Sequence, residues 1–130
     1  MHSNLSVRVG WALVIGTLSL AAQAQSAGTW SGTWKAGSGA LLSVTENGGT
    51  LDVWGTDAAS VFRLTCVVNQ KDLAQASCVG DGVNHVRGTR FNYRNKLRAG
   101  AGAITEDWEA QEFLGSADGR ETFKRVATVK

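Results

Sequence analysis

The sequence predicts an all-β chain: eight short antiparallel strands closed as an up-and-down β-barrel, following an N-terminal signal peptide. Three observations carry this expectation. Apolar residues alternate with polar ones through successive short runs, and no segment beyond the leader has helical length and period. Proline is absent while 16 glycines are present, so turns must rely on Gly, Asn and Asp, as tight hairpins do. The strand-like runs follow one another through hairpin-length links, and eight of them are enough to close a barrel and remove exposed edges.

The leader is residues 1–24. Residues 1–8 form a short n-region with Arg8, residues 9–21 an apolar h-region, and Ala22-Gln23-Ala24 a small-x-small site that predicts cleavage after Ala24. The apolar run is short for a span of about 20 residues. No cysteine follows at a lipidation position. The product is therefore expected in a periplasm or secreted, with residues 25–130 as a single domain. Without Arg8, 12 of the 13 basic residues remain against 11 acids, a net charge of +1. That near-neutral balance argues against nucleic acid as a partner. No later apolar run is long enough to span a membrane, and a monomer is expected. Cys66 and Cys78 are the two cysteines. Export makes a disulfide their default state, and closing so short a loop stabilises a fold by roughly 3 kcal/mol. They lack the Cys-x-x-Cys redox spacing. With His85 as the one histidine beyond the leader, they do not compose a zinc site, so no metal and no cofactor are expected.

Strand 1 is read at 29–35. In Gly28-Thr29-Trp30-Ser31-Gly32-Thr33-Trp34-Lys35 a Gly-x-Trp unit is written twice, and alternation sets Trp30, Gly32 and Trp34 on one face. After the turn Ala36-Gly37-Ser38-Gly39, strand 2 covers 40–46. Asn47-Gly48 is the strongest hairpin signal; a two-residue turn there sets Val44 opposite Leu51 and Leu42 opposite Val53, with strand 3 at 50–55. Trp54 then falls on the other face beside Leu41, which implies either a bulge near Gly55 or a small exposed apolar patch. Strand 4, at 61–68, points Phe62, Leu64, Cys66 and Val68 one way. Strand 5, at 74–80, aligns Ala74, Ala76 and Cys78, and a turn centred on Asp72 sets Cys66 opposite Cys78 as a brace within one hairpin. The stretch 80–88, with Asp81, Asn84 and His85, reads as the longest connection, a solvated loop without calcium-loop spacing. Strand 6, at 90–98, turns Phe91, Tyr93, Asn95 and Leu97 inward and a basic row outward. A turn at Gly100-Ala101 pairs Leu97 with Ile104, Asn95 with Glu106 and Tyr93 with Trp108 on strand 7 at 103–111. It also sets Arg94 against Asp107 and Glu109 against Asn92 outside. Asp118-Gly119 marks the last hairpin, leaving strand 8 at 120–128 with Glu121, Phe123, Arg125 and Ala127 inward.

With these strands in place, the chain resembles the calycin-like barrels: lipocalins, fatty-acid-binding proteins and avidins. Those families share a Gly-x-Trp near the start of the first strand and a basic residue on the last strand that packs over the indole. Gly28-x-Trp30 and Gly32-x-Trp34 match the first feature, and Phe123-Lys124-Arg125 looks like the second. The resemblance implies barrel closure through Trp30, Trp34 and Arg125, with a guanidinium on an aromatic face. It also implies a binding protein for a small or hydrophobic ligand. The chain is shorter than a typical lipocalin and lacks the helix that follows the barrel there. The avidin biotin-site pattern does not map, so biotin is not carried over. Ser38-Gly39-Ala40 resembles the serine-glycine loop of one family of small exported lysozyme inhibitors, whose companion lysine-bearing motif is missing here. That supports an alternative, a protein-interaction module inhibiting a secreted hydrolase.

The candidate ligand site is Tyr93, Asn95, Glu106 and Trp108. The predicted register turns Asn95 and Glu106 inward between two aromatic side chains, and a buried carboxylate is costly unless paired or protonated. Such a pair anchors a ligand, or it belongs to an internal network with Arg125, for which Glu112 is a rival partner. No Ser-His-Asp set is available, and two acids on one strand, Glu106 and Glu112, are common; no enzyme activity is expected.

Overall fold

The computed structural model describes residues 30–126. The leader and its cleavage site, Gly28, Thr29, Ala127 and Thr128 lie outside the described residues. Within them the chain forms a closed barrel of eight antiparallel strands in sequence order. These are β1 (Gly32–Ala36), β2 (Leu41–Asn47), β3 (Thr50–Thr56), β4 (Ser60–Val68), β5 (Gln75–Asn84), β6 (Thr89–Gly100), β7 (Ala103–Glu112) and β8 (Gly115–Arg125). The ring closes where β1 meets β8, at Trp34↔Arg125, Lys35↔Lys124 and Ala36↔Phe123.

The inward face is the expected apolar set. Leu42, Val44, Leu51, Val53, Phe62, Leu64, Cys66, Val68, Ala76, Cys78, Phe91, Tyr93 and Leu97 are all buried. Cys66 faces Cys78 across β4 and β5, and the two are joined by a disulfide. Trp30 and Trp34 are almost fully buried. Trp30 nevertheless does not share a strand with Trp34, because β1 begins only at Gly32, whose φ of 140° breaks the alternation. Instead Trp30 lies below the barrel. Its indole Nε1 donates to the Leu73 carbonyl (3.2 Å) in the β4–β5 connection, and Trp34 Nε1 donates to the Trp30 carbonyl (3.0 Å). This end of the barrel is therefore stoppered by two indoles.

Two hairpins differ from the expected register by one turn position. The β2–β3 turn is Gly48-Gly49, not Asn47-Gly48, so Val44 faces Val53 and Leu42 faces Gly55. Both turn residues have positive φ (58° and 94°), which a turn matched to strand twist demands and paired glycines meet without steric cost. The β6–β7 turn is Ala101-Gly102, so Leu97 faces Glu106, Asn95 faces Trp108 and Tyr93 faces Ala110. Outside, Lys96 meets Asp107 and Arg94 meets Glu109. Moving a two-residue turn by one position shifts each pairing by two, so every side chain keeps its face. The core survives the error in register for that reason.

Two larger corrections involve glycine. The stretch 80–88 is not a long loop: β5 continues to Asn84, and the connection is only 85–88. Gly82 is not punctuation. A Cβ there would come within 2.4 Å of the Phe91 ring and 2.6 Å of the Val61 carbonyl, so the strand passes at a distance that only glycine permits. Likewise Asp118-Gly119 is not the last turn. It sits inside β8, with Gly119 opposite Trp108, and the turn is Phe113-Leu114. A turn at 118–119 would leave the upper half of β7 an unpaired edge; the longer β8 covers it. At β3 no bulge occurs: pairing runs unbroken through Gly55 to β2 and β4, and Trp54 is exposed on the outer wall with Arg63 5.0 Å over its ring. Ala74 precedes β5, and Arg125 is exposed at the rim of the stoppered end.

Candidate binding site

The end opposite the indoles is ringed by the turns at 37–40, 57–59, 85–88 and 113–114. Below them lies a cavity of about 200 Å³ within the barrel. The interior is thus divided: plugged by Trp30 and Trp34 at one end, hollow at the other. One part of the cavity wall is aromatic. Tyr93 packs edge-on against Phe62 (ring centroids 4.8 Å apart) and Phe91 (5.3 Å) and is tilted against Trp108 (6.1 Å). β4, β6 and β7 supply these rings, and the glycines of β3 and β5 make room for them: a Cβ at Gly55 would fall within 2.1 Å of the Phe62 ring.

The polar part centres on Glu106. Asn95, from the neighbouring strand, donates its amide Nδ2 to Glu106 Oε2, and both residues are 2% exposed. Burial pushes the Glu106 carboxyl up to about 7, the Asn95 hydrogen bond opposes the shift, and the charges of Glu121 and Asp57 add to it. The carboxyl therefore carries its proton through most of the acidic range. Asn95 Oδ1, by contrast, is buried without a hydrogen-bond partner. Burial likewise raises the Tyr93 phenol, with the Glu106 and Asp57 charges adding to the effect, so it stays a neutral hydroxyl.

The rim acids are engaged differently. Asp57 Oδ1 accepts from the Ala59 and Ser60 amides (2.8 Å each) and holds the β3–β4 turn. Glu121 accepts from Ser38 Oγ (3.2 Å). Glu112 is ion-paired with Arg87 and accepts from Thr89 Oγ1 (2.9 Å). Asn84 Oδ1 fixes the turn bearing Arg87 by accepting from the Val86 and Arg87 amides (3.1 and 3.0 Å). Among the described residues no cation pairs with Glu106, and no group of three or more His, Cys, Asp and Glu side chains gathers to hold a metal ion.

The structure brings Tyr93, Glu106 and Trp108 together on this cavity, with Asn95 behind Glu106. Arg125 lies at the other end, its guanidinium carbon 4.2 Å from the Trp34 ring centroid and Nη1 donating to the Ser31 carbonyl (2.6 Å). Sequence reasoning places Phe62, Phe91 and Glu121 inside and names Glu112, but puts none of them in the ligand site, and it misses Asp57 and Arg87. The Gly55 and Gly82 positions, set among bulky residues, were the signal for that aromatic wall. Outside the mouth, a larger open depression of about 720 Å³ runs beside the β7–β8 hairpin, whose tip residues Phe113 and Leu114 are 98% and 92% exposed.

Fold and site together define a small, disulfide-braced, closed antiparallel barrel with one hollow end, an architecture compatible with a calycin-like fold. No protein-family model matches the chain, and no curated protein or solved structure matches it.

Proposed function

We propose that this protein is an exported, non-catalytic barrel that binds a small ligand in the hollow end of its lumen. The observation that carries this reading is the aromatic-walled cavity of about 200 Å³, with Glu106 facing it. Space of this size holds about seven waters' worth of liquid volume, enough for one ring with a short arm. It is below the usual volume of a site for drug-sized ligands. The leader and the disulfide support an oxidising location, periplasmic or secreted. Titration with small aromatic compounds, read by tryptophan fluorescence, tests the proposal. Binding in the lumen shifts the emission of the native protein and disappears in Trp108→Ala. An unchanged spectrum throughout the series defeats the reading.

A second reading rests on a different observation. Phe113 and Leu114 project almost wholly into solvent at the tip of the β7–β8 hairpin. Exposed aromatic anchors of this kind serve protein contacts, as in an inhibitor of a secreted hydrolase. That reading expects the protein to slow peptidoglycan hydrolysis by a lysozyme, and Phe113→Ser to relieve the inhibition.

A further inference from the structure

We infer that the ligand class of the hollow end is a small organic cation, an aromatic or aliphatic ammonium, whose charge is received by Glu106 inside the aromatic wall. The inference rests on the lumen-binding reading and narrows it.

Charge complementarity is the first support. The carboxyls of Asp57, Glu106, Glu112 and Glu121 all border the cavity, against one cation, Arg87. Glu112 already engages Arg87, so the basic charge is spent at the rim and the interior potential is negative. An anionic ligand would face uncompensated carboxylates at this depth, and a neutral one would leave their field unused. Hydrogen-bonding capacity is the second support. Glu106 is 2% exposed and lines the cavity, and its ionised carboxylate presents acceptors alone. An ammonium offers several donors and one positive charge, which suits those acceptors and one negative charge. The walls are the third support. Phe62, Phe91, Tyr93 and Trp108 present ring surfaces to the same space, and desolvated ring faces attract cations.

Glu106 is faced by Tyr93 from β6, Glu121 from β8, Asp57 from the β3–β4 turn, and Arg87 and Glu112 from the rim. Of these, Tyr93 stays neutral, and the carboxylates disfavour a charged Glu106 in the empty site. The bound ammonium reverses this. It favours the ionised carboxylate, and the Glu106 proton leaves to solvent. Cation binding is therefore coupled to release of one proton and strengthens as pH rises through about 7.

The test uses the mature protein, with benzylamine and benzyl alcohol as matched probes, by calorimetry and tryptophan fluorescence. Benzylamine remains an ammonium across the range used. Its affinity is expected to be at least about tenfold above that of the alcohol near neutrality. It should fall roughly tenfold between about pH 8 and about pH 6, while that of the alcohol stays level. At about pH 6, calorimetry in buffers of different ionisation enthalpy should register release of close to one proton. Glu106→Gln keeps an amide partner for Asn95. It should weaken benzylamine binding at least about tenfold more than it weakens binding of the alcohol. If that variant does not fold, the pH dependence and proton release of the native protein decide the matter. Equal, pH-independent binding of amine and alcohol would overturn the cation assignment and leave the lumen reading standing. Absence of binding by either probe would remove both.

Discussion

Glu106 shows how one side chain can be costly to the fold and useful to the site. Its folded carboxyl titrates near 7, above the ordinary value of 4.5, chiefly because burial penalises the charged form. The folded state therefore holds a proton that the unfolded state releases between about pH 4.5 and pH 7. Stability associated with the protonated acid is fully present below that window and declines as pH rises through it. The loss is on the order of 3 kcal/mol by pH 8. Glu106→Gln should flatten this slope, making the variant the more stable protein above neutrality. Urea melts of both proteins at a series of pH values check it, and parallel pH profiles would refute the assignment. The surface pair Arg120–Asp107, with Nε 2.6 Å from Oδ1, behaves differently. Its hydrogen bond from Arg120 holds the Asp107 carboxyl below the usual range, but the pair is fully exposed and solvent screens it.

At the scale of the strand, β4 and β5 are held covalently as well as by pairing. The disulfide staples them at Cys66↔Cys78, and Gly82 lets β5 pass under the Phe91 ring. Replacing both cysteines by alanine should lower stability by about 3 kcal/mol, through loss of loop constraint and of buried sulfur contacts. Reducing agent should lower the thermal midpoint of the native protein correspondingly and leave that of the double variant unchanged. Gly82→Ala should cost about 2–3 kcal/mol, because its Cβ meets a backbone carbonyl as well as a ring and the former cannot swing aside. A melting temperature equal to that of the native protein would show that β5 can shift to accommodate a methyl group. These glycines also explain a misreading at element scale. A Gly-x-Gly or Asp-Gly in sequence is ambiguous between a turn and a strand passing close to a ring, and only the ring's position resolves it.

For the whole molecule, closure is the seam with the fewest pairs among the described residues. There β1 and β8 share three paired positions, whereas β6 and β7 share nine. Arg125 reinforces the seam from the side, over the Trp34 indole and onto the Ser31 carbonyl. Val126 N adds a bond to the Thr33 carbonyl (2.8 Å). Arg125→Ala should cost roughly 1–2 kcal/mol. Its signature should be local: faster amide exchange in β1 and the end of β8, with β4–β6 protected as before. Uniform acceleration across all strands would show instead that the barrel opens only as a unit. The division of the interior follows from this geometry. The seam and its two indoles occupy one end, so space for a ligand remains at the other.

Much of the fold was legible because the alternation of side chains specifies faces without specifying partners. Phe62, Leu64, Cys66 and Val68 read inward from the chain alone, as did Phe91, Tyr93, Asn95 and Leu97, since successive residues on a strand point oppositely. The cysteine spacing agreed with one hairpin register and so fixed both. The candidate site was half legible: Tyr93, Asn95, Glu106 and Trp108 were visible as inward positions of β6 and β7. Tertiary structure alone decided that Trp30 lies beneath the barrel, that Gly82 and Gly119 belong to strands, and that rim acids from one turn and two strands converge above Glu106. The physical reason is one of range. Face alternation and cysteine spacing act over a few residues, whereas stoppering one end, hollowing the other and gathering like charges at its mouth depend on ring closure between the first strand and the last.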